Sequence, residues 1–223
     1  MITPRGAWSS VPYFTKYISS LVLGIGILVY LNHSEYRLEA CLPALRIYSL
    51  LAIVLQVGLL FLKKAANEES IGISSSRKAK NKSYKVSDVF LIFLLSLCCV
   101  CGVHIVAVLY GAYIVENFEA TLTFSIVVAS LALVRPLICL GPRALQILLE
   151  RLNWEEDLDL QTIAIFVGAW LGALPIPLDW DRPWQAWPLT CCIGAIFGEL
   201  ATSGYFLIKS FIIDPIKWKN KSK

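Results

Sequence analysis

The chain has 223 residues, 57% of them hydrophobic and 16% charged, with a formal charge of +4 from 20 Lys and Arg against 16 Asp and Glu. Its mean hydropathy of +0.66 is too high for a soluble core covered by polar surface. No polar stretch approaches the roughly 50 residues of an autonomous soluble domain, so extramembrane catalytic mass and nucleic-acid recognition are excluded and a single membrane domain over 1–223 remains.

About 20 apolar residues carry a helix across about 30 Å of hydrocarbon. Such stretches lie near residues 11–31, 42–62, 89–112, 120–140, 160–176 and 188–213. They predict an all-α, polytopic helical membrane protein of about six transmembrane helices. The first stretch lacks the cleavage pattern and short apolar core of a removable signal and reads as an uncleaved signal anchor. Residues 63–88, rich in Ser and Lys and nearly free of aromatics, read as a flexible cytosolic loop with some attraction to anionic membrane lipids. Short loops rich in Lys and Arg stay in the cytosol. With six spans, sixteen of the 20 cations share a side with both termini, whereas Arg37, Arg46 and Arg182 lie opposite. Both termini are therefore predicted to be cytosolic.

Ionisable groups inside spans are costly and are read one by one. Arg46 and Arg135 sit near span ends and are expected to snorkel. His104 and Glu199 are central in their spans, and each is expected to hydrogen-bond a neighbouring helix. A proton or ion path would need a longer chain of such groups, and no inverted repeat recommends a transporter. The seven cysteines read as small hydrophobes, because Cys98 and Cys101 form a C-x-x-C pair without a second pair or a histidine beside it.

The densest signal is GAWLGALPIPLDWDRPWQAWPLTCCIGAIFG, from Gly168 to Gly198. Pro175, Pro177, Pro183 and Pro188 cannot donate backbone hydrogen bonds, so a continuous helix is excluded and a bent loop is predicted. Trp180, Trp184 and Trp187 then sit at the lumenal interface, where an indole keeps its ring among headgroups and its N–H near water. Asp179, Asp181 and Arg182 are placed to pair there. The loop is either an aromatic belt with a charge pair that shapes a hairpin or a docking surface for a partner. Ala164, Gly168 and Gly172 form one ridge of small residues, and Thr190, Gly194, Gly198 and Thr202 another. Such ridges permit close helix packing in lipid, either against each other or against another protein.

Catalytic signatures are missing from the sequence: it has no Walker A loop, no G-x-S-x-G and no metal cluster. No metal or other cofactor is predicted.

The run GAWLGALPIPLDWDRPWQAWP resembles the signature of the phosphatidylinositol-glycan biosynthesis class F family. The residues that carry the likeness are Trp170, Gly172, Pro175, Pro177, Asp179, Trp180, Arg182, Pro183, Trp184, Gln185, Trp187 and Pro188. Glu199 stands outside that pattern. The resemblance implies a multi-pass protein of the endoplasmic reticulum membrane. It also implies a non-catalytic subunit that stabilises the large catalytic glycosylphosphatidylinositol (GPI) ethanolamine phosphate transferases. Partner binding is expected through Trp170, Gly172, Pro175, Pro177, Asp179, Trp180, Arg182, Trp184, Gln185 and Trp187 of that motif, and, from the charge pair and the small-residue ridge, through Asp181, Gly194 and Gly198. The C-terminal K-N-K-S-K, with Lys219 and Lys221, resembles a dilysine retrieval signal. The alternatives are a membrane-embedded enzyme acting directly in phosphoethanolamine transfer and a lipid or ion transporter.

Overall fold

A computed structural model describes residues 11–72, 86–112, 116–150, 157–178 and 180–210. Among these residues there are helices and turns but no strand. The helices are α1 (Val11–His33), α2 (Leu38–Gly72), α3 (Val86–Leu109), α4 (Phe118–Val128), α5 (Arg135–Leu140), α6 (Ala144–Glu150), α7 (Asp157–Leu171) and α8 (Leu189–Ile208). A π-helical segment, Ala129–Val134, joins α4 to α5 without a break. Among the described residues, five stretches are long and apolar enough to cross a membrane: Thr15–His33, Leu38–Leu62, Ser87–Leu109, Phe118–Leu140 and Leu189–Ile208. The chain is thus an all-α polytopic membrane protein.

Element boundaries follow local chemistry. Gly111, at φ +99°, ends α3. There Ala112 N–H reaches Ala107 C=O at 3.0 Å and Gly111 N–H reaches Val108 C=O at 2.9 Å, the paired bonds of a glycine-terminated helix. The segment predicted as a loop over 63–88 is helical as far as Gly72, because KKAANEES is rich in helix-forming Ala, Lys and Glu. Residues 73–85 lie outside the described residues. The stretch predicted over 160–176 is a helix only from Asp157 to Leu171. Pro175 and Pro177 stop it, and turns carry the chain onward.

Contacts at the helix ends show which ends share a side. The Tyr17 hydroxyl of α1 donates to Asp157 at the start of α7. Arg46, early in α2, bonds Thr123 Oγ1 at 2.8 Å and pairs with Glu119 at 3.2 Å, both near the start of α4. Trp187, just before α8, donates to Thr121 Oγ1 at 3.1 Å. So α1 and α7 run one way, and α2, α4 and α8 run the other. The segment Phe118–Leu140 lies at the centre, with 67% of its most apolar window buried within the protein against 11% for α3. α3 therefore turns most of its surface to lipid.

α7 and α8 form an antiparallel pair whose two small-residue ridges face each other. A Cβ added to Gly168 would overlap the carbonyl oxygen of Gly194, and one added to Gly194 would overlap that of Gly168. At one end of the crossing Gly172 meets the Thr190 carbonyl, and at the other Gly198 meets that of Ala164. Dispersion between backbones replaces the hydrophobic drive that lipid withholds. At 15 residues, α7 is shorter than the roughly 20 a free-standing span needs, and this pairing supplies what length does not. Gly194→Val should therefore cost at or above the upper end of the about 1–3 kcal/mol typical of overpacking. Gly26→Ala, whose Cβ would meet nothing within 4 Å, should not destabilise, since alanine is the better helix former. Thermal unfolding of both variants in one detergent checks the contrast.

Candidate functional site

The loop between α7 and α8 is fixed from within. Gln185 donates through Nε2 to Pro175 C=O at 2.8 Å and to Leu178 C=O at 2.6 Å, and its Oε1 accepts from Arg182 N–H at 2.9 Å. One amide side chain thus bonds three backbone groups that the prolines and the irregular path leave without helical partners. Pro183–Gln185 form a single 3₁₀ turn, and the Trp187–Pro188 peptide is cis. Trp187 anchors the loop to the bundle through its bond to Thr121 and by tilted packing on Phe124, with centroids 5.2 Å apart. Trp180 and Trp184 meet edge to face at 5.9 Å.

The sequence-predicted residues consequently divide. Gly172, Gly194 and Gly198 each turn one side to the other helix of the pair within the chain, and they remain half-buried. Gln185 and Trp187 are likewise engaged inside the fold. Trp170, 61% exposed, and Trp180, 54% exposed, stand outward, as do Pro177, Asp181 and Arg182, with Pro175 and Trp184 half-buried. No ion pair joins Asp181 to Arg182. Asp181 instead takes φ +48°, where the turn demands left-handed backbone of a non-glycine residue. Asp179, Lys219 and Lys221 lie outside the described residues.

A second constellation lies inside the bundle. Arg135 does not snorkel. It is buried, its Nη1 3.2 Å from Glu199 Oε1 and its Nε donating to Gln56 Oε1 at 3.0 Å. Glu199, itself 3% exposed, also accepts from Ser20 Oγ at 2.5 Å and from the Tyr48 hydroxyl at 2.7 Å. Gln56 passes the chain on to Cys139 Sγ at 3.0 Å. The expected hydrogen bond from Glu199 to a neighbouring helix is present three times over, to α1, α2 and α5. His104 has one as well, with Nδ1 3.4 Å from Ser125 Oγ of α4.

The π segment explains why Arg135 points inward. Pro136 has no N–H, and its ring would crowd the carbonyl four residues back, that of Ala132. Widening the turn relieves the crowding and shifts the register, and Thr162 of α7 donates to the released Ala132 carbonyl at 2.9 Å. The only sequence signal for this was Arg-Pro in the middle of an apolar run. Among the described residues no group of three His, Cys, Asp or Glu could hold a metal ion, and the seven cysteines are free thiols.

A short antiparallel helix pair carrying a proline- and tryptophan-rich loop, set against a bundle that holds a buried ion pair, defines a multi-pass helical membrane protein. A family model described as "GPI biosynthesis protein family Pig-F" matches residues 21–205, and the chain belongs to that family. It is 40% identical over 134 residues to the human protein named "GPI ethanolamine phosphate transferase, stabilizing subunit", a match covering 57% of this chain and 61% of that one. The mouse protein of the same name is 41% identical over 138 residues, covering 56% and 60%. An Aspergillus fumigatus "Glycosylphosphatidylinositol anchor biosynthesis protein 11" is 72% identical over 32 residues, covering 14% of this chain and 11% of that one. The chain thus spans about three-fifths of the length of the two mammalian relatives. No solved structure matches.

The ion pair gives a sharp expectation. Glu199→Leu leaves a guanidinium buried without its carboxylate and should cost about 3–5 kcal/mol, whereas Arg135→Met combined with Glu199→Leu should recover most of that loss. A double-mutant cycle on thermal stability in detergent measures it. Simple additivity of the two single changes would contradict the geometry.

Proposed function

We propose that this chain is a non-catalytic stabilising subunit of the GPI ethanolamine phosphate transferases, resident in the endoplasmic reticulum membrane, and that it serves the addition of phosphoethanolamine to mannoses of the GPI precursor. The names of the human and mouse relatives support the assignment. The observation that carries it here is the outward edge of the α7–α8 loop. Trp180 and Arg182 are residue types that dominate interface energetics, and they stand exposed on a segment already braced by Gln185 and Trp187, with Trp170 exposed beside it at the end of α7. A braced loop loses little conformational entropy on docking, which favours its use as a recognition surface. Arg135 and Glu199, buried between helices, are bonded to each other, which suits a scaffold role.

The partner in this reading is the large catalytic transferase, and the loop meets its lumenal side. Truncating an anchor of this kind costs about 2 kcal/mol or more, roughly 30-fold in affinity. Trp180→Ala with Arg182→Ala should therefore strip the transferase from the purified complex while this chain remains in the membrane at its normal level. Co-purification from native membranes reads the outcome. Undiminished recovery of transferase with the double variant would refute the docking edge, and ethanolamine phosphate transfer by the isolated chain would refute the non-catalytic role.

A further inference from the structure

A cavity of about 870 Å³ lies between α3, α4, the π segment, α7 and the loop. It falls within the about 300–1,000 Å³ common for small-ligand sites. Its walls include Val103 and Ala107 of α3, Val128 of α4 and Ala169 of α7, and no charged side chain lines it. Water would find few hydrogen-bond partners there, and an unfilled wall forfeits dispersion contacts. Hydrocarbon suits it. A helix about 10 Å wide would fill that volume in roughly two turns, so a transmembrane helix of another protein could lie only along its mouth, whereas a single acyl chain can enter it.

Two observations narrow the occupant. Gly102 lies on the wall, yet a Cβ added there would meet nothing within 4 Å, so packing inside the chain does not require a glycine at this position. Its missing side chain keeps the wall open. At the other end, Ile176, Pro177 and Trp187 bound the cavity. The loop they belong to carries Arg182, exposed and without an ion pair among the described residues. A guanidinium at the headgroup layer matches a phosphate diester in charge and fork geometry. We propose that the cavity holds one acyl chain of a membrane glycerophospholipid whose phosphate rests at Arg182.

The test uses the full chain reconstituted in phosphatidylcholine vesicles in which one acyl chain ends in a photoactivatable diazirine. Cross-links should concentrate on Val103, Ala107 and Ala169, which are at most 9% exposed, relative to the freely exposed Phe90 and Phe93. Gly102→Phe, whose Cβ would meet nothing within 4 Å and whose ring is directed at the cavity as a plug, should lower labelling of those buried residues about tenfold, with Phe90 labelling and the unfolding temperature unchanged. Arg182→Gln should also lower it. Labelling spread evenly over the lipid-exposed faces would overturn the proposal. So would cavity labelling that Gly102→Phe leaves intact, or preferential cavity labelling by a diazirine sterol. Because this experiment contains no transferase, its failure leaves the docking edge of the stabilising subunit standing, and the converse also holds.

Discussion

Arg135 and Glu199 are withdrawn from both water and lipid, and each would be expensive to bury alone. Their pairing converts that cost into a constraint on the whole bundle. Glu199 cannot keep its three donors unless Ser20 of α1, Tyr48 of α2 and Arg135 of α5 all converge on α8, while Gln56 holds the guanidinium from a further turn of α2. Leucines alone would fill the same volume in many registers, since lipid tails compete for every apolar contact. A buried, directional cluster favours one arrangement. In this chain it fixes α1, α2 and the central helix against α8, and α8 in turn carries α7.

The glycine crossing is the second constraint, and it acts on another face of α8. Backbones in mutual contact at Gly168 and Gly194 leave no room for sliding, so the short α7 is held where its own length would not hold it. Together the two contacts make α8 a beam gripped on two faces. Glu199 directly follows Gly198 because successive helix positions lie about 100° apart, which lets one residue meet α7 while the next enters the polar cluster. The departure of Glu199 from the motif pattern is therefore the point where the two constraints meet.

Hydropathy and small-residue spacing made most of this legible in the sequence. The apolar stretches became helices near their predicted places, and the ridges on α7 and α8 did find each other. The facing of Arg135 was not legible, because a helical projection assumes 3.6 residues per turn and the π segment before Pro136 breaks that register. The reach of α2 to Gly72 was missed for a different reason: polarity marks exit from the membrane but does not end a helix. In the loop, composition identified the tryptophans as a group. Only coordinates separate Trp187, committed to Thr121 and Phe124, from Trp180, which faces outward.

The loop also joins two surfaces that would otherwise be independent. Ile176, Pro177 and Trp187 bound the apolar cavity, and Trp180 and Arg182 form the exposed edge, with Gln185 bonded to both stretches of backbone. Any occupant of the cavity that favours one setting of this braced segment shifts the affinity of the outer edge by the same free energy with which a docked partner shifts cavity occupancy. Such coupling would have a short physical route through one glutamine side chain and its three bonds to backbone. On the two proposals together, a lipid on one side of the loop and a protein on the other would act on the same few residues.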